Sequence, residues 1–87
     1  MKKLSISDLR PEVSFTFDRY DPFYYVVVYV RSEPVCSKFA DREVLTQPYI
    51  ICYAKLKNAD HLSTSQTYIP FDLLEMVQFY EYLPHSF

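Results

Sequence analysis

Four residues carry side chains that commonly bind zinc or act as catalytic nucleophiles and bases: Cys36, Cys52, His61 and His85. Structural zinc sites usually take their ligands in closely spaced pairs, whereas these four residues are widely separated in the sequence. Asp60 and His61 could activate either cysteine as a nucleophile, but Cys52 belongs to the inward-facing set of a predicted strand. We therefore expect no metal site, no cofactor and no enzymatic activity.

Glycine is absent from the 87 residues. Phosphate-binding loops, nucleophile elbows and dinucleotide-binding turns use glycine where the backbone turns sharply or approaches a ligand closely. Its absence argues against those classes of enzyme. The two cysteines are expected to be buried, reduced thiols that pack as small apolar groups, and a disulfide between paired strands is the alternative.

The balance of charge is mildly acidic, with nine Lys+Arg against eleven Asp+Glu and a formal net charge of -2. This argues against a broad electrostatic grip on duplex nucleic acid or an anionic membrane. Polar residues interrupt the apolar positions near the N-terminus, so neither a signal peptide nor a membrane segment is expected, and a cytoplasmic location is predicted. A hydrophobic content of 49% in a chain of this length fits one globular domain over residues 1–87.

The central element is predicted at Phe23–Arg31, whose sequence FYYVVVYVR consists almost entirely of aromatic and β-branched residues. Val13, Phe15 and Phe17 alternate with polar residues, and the turn-forming residues 18–22 connect this strand to the central one as a hairpin. Strict alternation would place one set in the core, namely Tyr24, Val26, Val28 and Val30. It would place the other set on an open face, namely Phe23, Tyr25, Val27, Tyr29 and Arg31.

A third strand is predicted over residues 49–57, where Ile50, Cys52, Ala54 and Leu56 alternate with Tyr49, Ile51, Tyr53, Lys55 and Lys57. Residues 58–61 supply a turn, with Asn58 or Asp60 at positive φ, and residues 64–69 return as a further strand. Two segments stay open. Residues 1–12 are either a short strand or a single turn, and residues 34–47 contain either a strand at Val35–Phe39 or a helical turn capped by Ser37.

A C-terminal helix is predicted over residues 71–83, with Pro70 at its first position and Pro84 ending it. Leu73, Leu74, Val77 and Tyr80 recur at helical spacing and would pack on the sheet. The predicted fold is therefore α+β: an antiparallel sheet of about four strands with one C-terminal α-helix packed on one face.

The candidate site is the sheet face that points away from this helix. It would carry Tyr25, Tyr29, Arg31, Tyr49, Tyr53, Lys55 and Lys57, and the helix would add Glu75 and Glu81 as a second, acidic patch. Tyrosine and arginine are enriched where binding energy concentrates, so the sequence favours a small non-enzymatic protein that covers a surface of a larger partner protein. An inhibitor, an immunity-type protein or an accessory subunit, encoded by a phage or mobile element, would fit.

Three alternatives use the same residues. Aromatic and basic side chains on an open sheet also form stacking platforms for single-stranded nucleic acid, although nearby acidic residues weigh against that interpretation. The tyrosines could instead pair with one another simply as strand surface. A homodimer would also hide the face.

Overall fold

The computed structural model describes residues 2–39, 41–58 and 65–83, apart from the side chains at positions 35, 37 and 39. Its strands are β1 (Lys3–Leu4), β2 (Ser14–Thr16), β3 (Phe23–Arg31), β4 (Val35–Phe39), β5 (Arg42–Thr46), β6 (Tyr49–Leu56), β7 (Gln66–Pro70) and β8 (Phe79–Glu81). A 3₁₀ turn at Ile6–Asp8 and the helix α1 at Phe71–Glu75 complete the described structure. No helix in this part of the chain is long and apolar enough to cross a membrane.

Six strands form one antiparallel sheet in the order β1-β8-β2-β3-β6-β7, and α1 packs against it. β4 and β5 form a separate two-stranded sheet, which we call the arm. The predicted α+β fold, an antiparallel sheet with a helix on one face, is confirmed, with six strands in that sheet instead of about four.

The hairpin that joins β2 to β3 is held by aspartate side chains in its turn. A carboxylate oxygen of Asp18 accepts a hydrogen bond from the backbone N–H of Tyr20 at 3.1 Å, and Asp21 accepts one from the N–H of Phe23 at 2.9 Å. Aspartate commonly closes turns in this way, by bonding the backbone two residues ahead. The hairpin predicted from the sequence is confirmed, as are the strands on either side of its turn.

The core lies between the sheet and the side covered by α1 and the 3₁₀ turn. Its most deeply buried apolar residues are Phe15, Ile50, Cys52, Leu74 and Val27. Cys52 is buried as predicted, whereas Cys36 is exposed on β4 and the prediction that both thiols are buried is wrong for it. Both cysteines are free in the structure, so the disulfide alternative is not seen.

The predicted helix is much too long. α1 ends at Glu75, and Phe79–Glu81 forms strand β8 between β1 and β2. Only Leu74 of the expected apolar face is buried; Leu73 and Val77 are exposed, and Tyr80 belongs to β8. Pro70 is the N-cap of α1 and not its first helical residue. This segment forms a strand instead of a helix because Phe79 packs in the core from β8. The backbone N–H and C=O groups of β8 also pair with those of β1 on one side and β2 on the other.

The predicted faces of β3 are also partly wrong, because the strand contains a β-bulge. Val27 pairs with Cys52 and Tyr29 pairs with Ile51, so Val28 is an extra residue without a partner on β6. The bulge reverses the alternation: Tyr25 and Val27 lie on the core side before it, and Val30 lies there after it. Tyr29 and Arg31 remain on the open side, as predicted, whereas Val28 is exposed.

The two segments that the sequence left undecided both contain strands. Residues 1–12 contain the short strand β1 followed by the 3₁₀ turn, so each of the two alternatives describes part of the segment. Residues 34–47 contain β4 and β5, which favours the strand over the helical turn. The described residues at positive φ are Glu12 and Asp41, and Asn58 is not one of them. Asp60, His61 and His85 lie outside the described residues.

Candidate tyrosine interface

One face of the six-stranded sheet, opposite α1, is rich in tyrosine. Cross-strand pairing and alternation from the core residues place seven of the chain's nine tyrosines on it. We call this surface the tyrosine face, and its members are Tyr24, Tyr29, Tyr49, Tyr53, Tyr68, Tyr80 and Tyr82. The other two tyrosines lie elsewhere: Tyr20 is exposed in the β2–β3 turn and Tyr25 is partly buried and packs against the core.

Three of these rings form a continuous row across β3, β6 and β7, which we call the tyrosine row. The ring centroids of Tyr29 and Tyr49 are 6.2 Å apart, and those of Tyr49 and Tyr68 are 4.7 Å apart. Tyr29 and Tyr68 at the ends of the row are 45% and 56% exposed. Arg31 pairs with Tyr49 at the end of the strands, so a basic side chain borders the row.

A second aromatic pair lies near the other end of the face. The rings of Tyr24 and Tyr82 are 4.5 Å apart, and the Lys57 ammonium lies 5.4 Å from the centroid of the Tyr82 ring. Burial, and secondarily the neighbouring Tyr82 hydroxyl, raises the pKa of Tyr24. The Lys57 ammonium also donates to the backbone carbonyls of Asp18 at 2.9 Å and Arg19 at 3.4 Å. Lys57 therefore secures the β2–β3 turn.

A groove of about 500 Å³ lies beside this pair. Lys55, Glu12 and Glu81 line it together with the aromatic rings of Tyr24 and Tyr82. Charges of both signs therefore meet at the groove, whereas Arg31 is the charged residue that the strand register places beside the tyrosine row. The two ends of the tyrosine face thus differ in electrostatic character.

Most predicted face residues do share one surface. The register places Tyr29, Arg31, Tyr49, Tyr53, Lys55 and Lys57 on the tyrosine face. Tyr53 also accepts a hydrogen bond at 3.2 Å from the side-chain amide of Gln66 on β7. The sequence prediction missed four members of the face: Tyr24, Tyr68, Tyr80 and Tyr82. Strict alternation assigned Tyr24 to the core, and the overlong helix took in Tyr80 and Tyr82. Tyr68 lies in the alternating segment 64–69, which was a usable signal.

Tyr25 is the clear exception among the predicted contact residues. Its ring packs 5.4 Å from that of Phe15 and 5.2 Å from that of Phe17, on the core side of the sheet. Burial is the main cause that raises the pKa of its hydroxyl, followed by the charges of Asp21 and Cys52. Tyr25 therefore packs against the core, and its assignment to the open face is wrong.

The predicted acidic patch does not form on one helix. Glu75 is exposed at the end of α1, whereas Glu81 is half-buried in β8 and pairs with Phe15 of β2. The two glutamates were expected to lie on the same helix, so the single acidic stripe is an error that follows from the overlong helix.

Cys52 is poorly suited to nucleophilic chemistry. Its Sγ lies 3.7 Å from the backbone carbonyl of Thr67, to which it donates, and burial raises the pKa of the thiol to about 11. The reactive form of cysteine is the thiolate, so this thiol stays protonated and unreactive near neutral pH. Within the described residues, no three histidine, cysteine or acidic side chains are grouped so that they could hold a metal ion.

No protein-family model, curated protein or solved structure matches this chain.

Proposed function

We propose that this protein is a small non-enzymatic binding module that covers a surface of a larger partner protein with its tyrosine face. The observation that carries the proposal is the tyrosine row, in which three contacting rings on three neighbouring strands leave two of their members about half exposed. Exposed aromatic clusters bordered by arginine are typical of the residues that contribute most binding energy at protein interfaces.

The strands beneath the row are held rigidly. Val27, Ile50, Cys52 and Ile69 lie on the opposite side of the same three strands, and each is at most 4% exposed. Because the core already fixes the backbone of these strands, binding costs little further ordering of the backbone. Tyrosine adds a large apolar ring and a hydroxyl for only two rotatable bonds. The row is therefore suited to act as a preformed anchor.

The mode of action we infer is coverage of a partner's surface, as in an inhibitor, an immunity-type protein or an accessory subunit. An origin in a phage or mobile element belongs to the same proposal. The size of the chain supports this mode, because a standard interface buries about 800 Å² on each partner and the whole chain exposes 6543 Å².

The test is affinity capture with a matched pair of variants. Tagged wild-type protein, the double variant Tyr29→Ala/Tyr68→Ala and the control Tyr20→Ala are each incubated with lysate from the source organism after nuclease treatment. Tyr20 is 83% exposed but lies in the β2–β3 turn, so its variant removes an equally large exposed ring away from the face. We expect a stoichiometric partner protein with the wild type and the control, and at least a tenfold loss with the double variant.

The decisive outcome concerns the double variant. If it melts as cooperatively as the wild type and still captures the partner equally well, the tyrosine row is not the binding surface. If no variant, including the wild type, captures a protein after nuclease treatment, coverage of a protein partner is wrong.

Binding of single-stranded nucleic acid is the second candidate, and the presence of Arg31 and Lys55 on the tyrosine face favours it. Stacked bases gain about 1–3 kcal/mol each on aromatic platforms. Lys57 contributes less than the sequence indicated, since its ammonium already bonds two backbone carbonyls. Titration of a fluorescent oligo(dT) would show affinity that falls steeply as salt rises if this candidate is right, because phosphate contacts release counterions. Salt-insensitive binding, or none, would exclude it.

A further inference from the structure

The arm is an incomplete sheet. β4 and β5 pair only with each other in the described chain, and the described side chains along both strands are exposed, except for the half-buried Thr46. Val44 and Leu45 are 47% and 56% exposed. A lone two-stranded hairpin is marginally stable in water, and each open edge presents unpaired backbone N–H and C=O groups. An additional strand along one edge would remove both weaknesses.

The register identifies which backbone groups point outward from β5. Phe39 pairs with Arg42 and only two residues separate them, so this pair closes the hairpin and exchanges both of its backbone hydrogen bonds. Hydrogen-bonded and non-hydrogen-bonded pairs then alternate along an antiparallel ladder. Glu43, opposite Lys38, and Leu45, opposite Cys36, are therefore in the non-hydrogen-bonded positions. Their N–H and C=O groups are directed to the free edge of β5.

We propose that two copies of this chain associate by antiparallel pairing of β5 with β5 about a two-fold axis at Val44. In this register Glu43 of each copy lies opposite Leu45 of the other, which allows four backbone hydrogen bonds between groups that are free in the monomer. Arg42 lies opposite Thr46 of the second copy, so no like charges meet directly across the axis. Val44 packs against Val44 of the second copy, and two exposed apolar side chains become covered.

The charges of the arm explain why a second copy fits and why β5 is the edge that pairs. Lys38 and Arg42 balance Asp41 and Glu43, so two arms approach without net repulsion although the whole chain carries -2. The edge of β4 has Lys38 near its centre, and lysine on an edge strand discourages pairing. Joining the β5 edges gives a closed four-stranded sheet with β4 on each outer edge, so the association ends at two copies.

The first test is the mass of the full-length protein by sedimentation equilibrium over a range from micromolar to millimolar concentration. An interface this small should be weak, so we expect a concentration-dependent shift from 10.4 kDa toward twice that mass. Val44→Lys places like charges directly opposite each other and should lower the association constant at least tenfold. Val44→Thr keeps the branched shape without charge and should change it less than threefold.

The second test uses a disulfide to report the register in a Cys36→Ser background. Residues at position 44 form a non-hydrogen-bonded pair across the axis, where Cα atoms lie about 4.5 Å apart, within the range of a disulfide. Oxidised glutathione should therefore cross-link Val44→Cys into a dimer as it is itself reduced. Position 43 is also exposed, but Glu43→Cys lies diagonal to its own copy, about 7–8 Å away, and should not cross-link.

The inference fails if the wild type remains monomeric throughout the concentration range. It also fails if the protein dimerises but Val44→Lys leaves the association constant unchanged, or if Glu43→Cys cross-links as readily as Val44→Cys. The arm and the tyrosine row lie in different sheets and share no residue, so Tyr29→Ala/Tyr68→Ala should leave the association constant unaltered. The two proposals can therefore fail independently.

Discussion

Replacing Glu12 by glycine should stabilise this protein, because Glu12 occupies a backbone conformation that glycine adopts most easily. The N–H of Val13 donates to the carbonyl of Arg10 at 3.1 Å, and Glu12 between them has φ of 79°. With Pro11 before it, this is the third position of a type II turn, where positive φ is required. The N–H of Glu12 also donates to the carbonyl of Val27 at 2.9 Å, so the position is fixed against the sheet.

The expected magnitude is the difference between two terms. The left-handed conformation costs a residue with a Cβ atom about 1–2 kcal/mol, which glycine avoids. Glycine loses more backbone entropy on folding, which costs about 0.5–1 kcal/mol. The midpoints of these two ranges differ by about 0.75 kcal/mol, so the free energy of unfolding should rise by roughly that amount in Glu12→Gly. In a domain of this size 1 kcal/mol corresponds to roughly 4–8 °C, so Tm should rise by about 3–6 °C.

The test compares the stability of the glycine variant with that of the alanine variant at two positions. Urea unfolding would be measured for Glu12→Gly and Glu12→Ala, and for the same two substitutions at Glu75. Glu75 is an exposed residue of α1 whose φ is not positive. At Glu75 the glycine variant should be the less stable by about 0.5–1 kcal/mol. At Glu12 the order should reverse. If alanine is the more stable at both positions, the assignment of strain to Glu12 is wrong.

Three further perturbations test the fold. Deleting Val28 removes the unpaired residue of the bulge and preserves every cross-strand pair, so the free energy of unfolding measured in urea should fall by less than about 1 kcal/mol. Deleting Val26 shifts the pairing between β3 and β6, so the free energy of unfolding should fall by more than about 3 kcal/mol. Burial raises the pKa of Cys52 from 9.0 to about 11, so the unfolded chain loses this proton first and stability should fall between pH 9 and 11. Over that pH range the free energy of unfolding of Cys52→Ala should fall by about 2–3 kcal/mol less than that of the wild type, at ~1.4 kcal/mol per unit of pKa. Deleting residues 71–87 removes the buried Phe79 and the strand between β1 and β2, so the remainder should show no cooperative transition by circular dichroism.

The alternation of apolar and polar residues predicted the elements whose sequence pattern spans only a few neighbouring positions. β3 and β6 were predicted nearly to their ends, and the hairpin before β3 followed from the two aspartates in its turn. These features depend on residues within a few positions of one another, and the sequence displays them directly.

The C-terminal segment failed because its stabilising partners are distant. β8 pairs with β1 and β2, which come from the first 16 residues of the chain. The spacing of Leu73, Leu74 and Val77 satisfies a helix equally well, and local spacing cannot show that a gap between two remote strands needs filling. The same error concealed Tyr82, which a helix would have placed away from the sheet.

The residues that β3 contributes to the tyrosine face depend on a single unpaired residue. In a regular strand Tyr25, Val27, Tyr29 and Arg31 would share one side, as strict alternation predicts. The extra residue at Val28 lets Tyr25 and Val27 pack in the core while Tyr29 and Arg31 stay outside beside Tyr49. β-bulges of this kind need no glycine, so the run of valines gives no sign of it. The candidate interface therefore has the predicted residue types, and the bulge decides which residues of β3 belong to it.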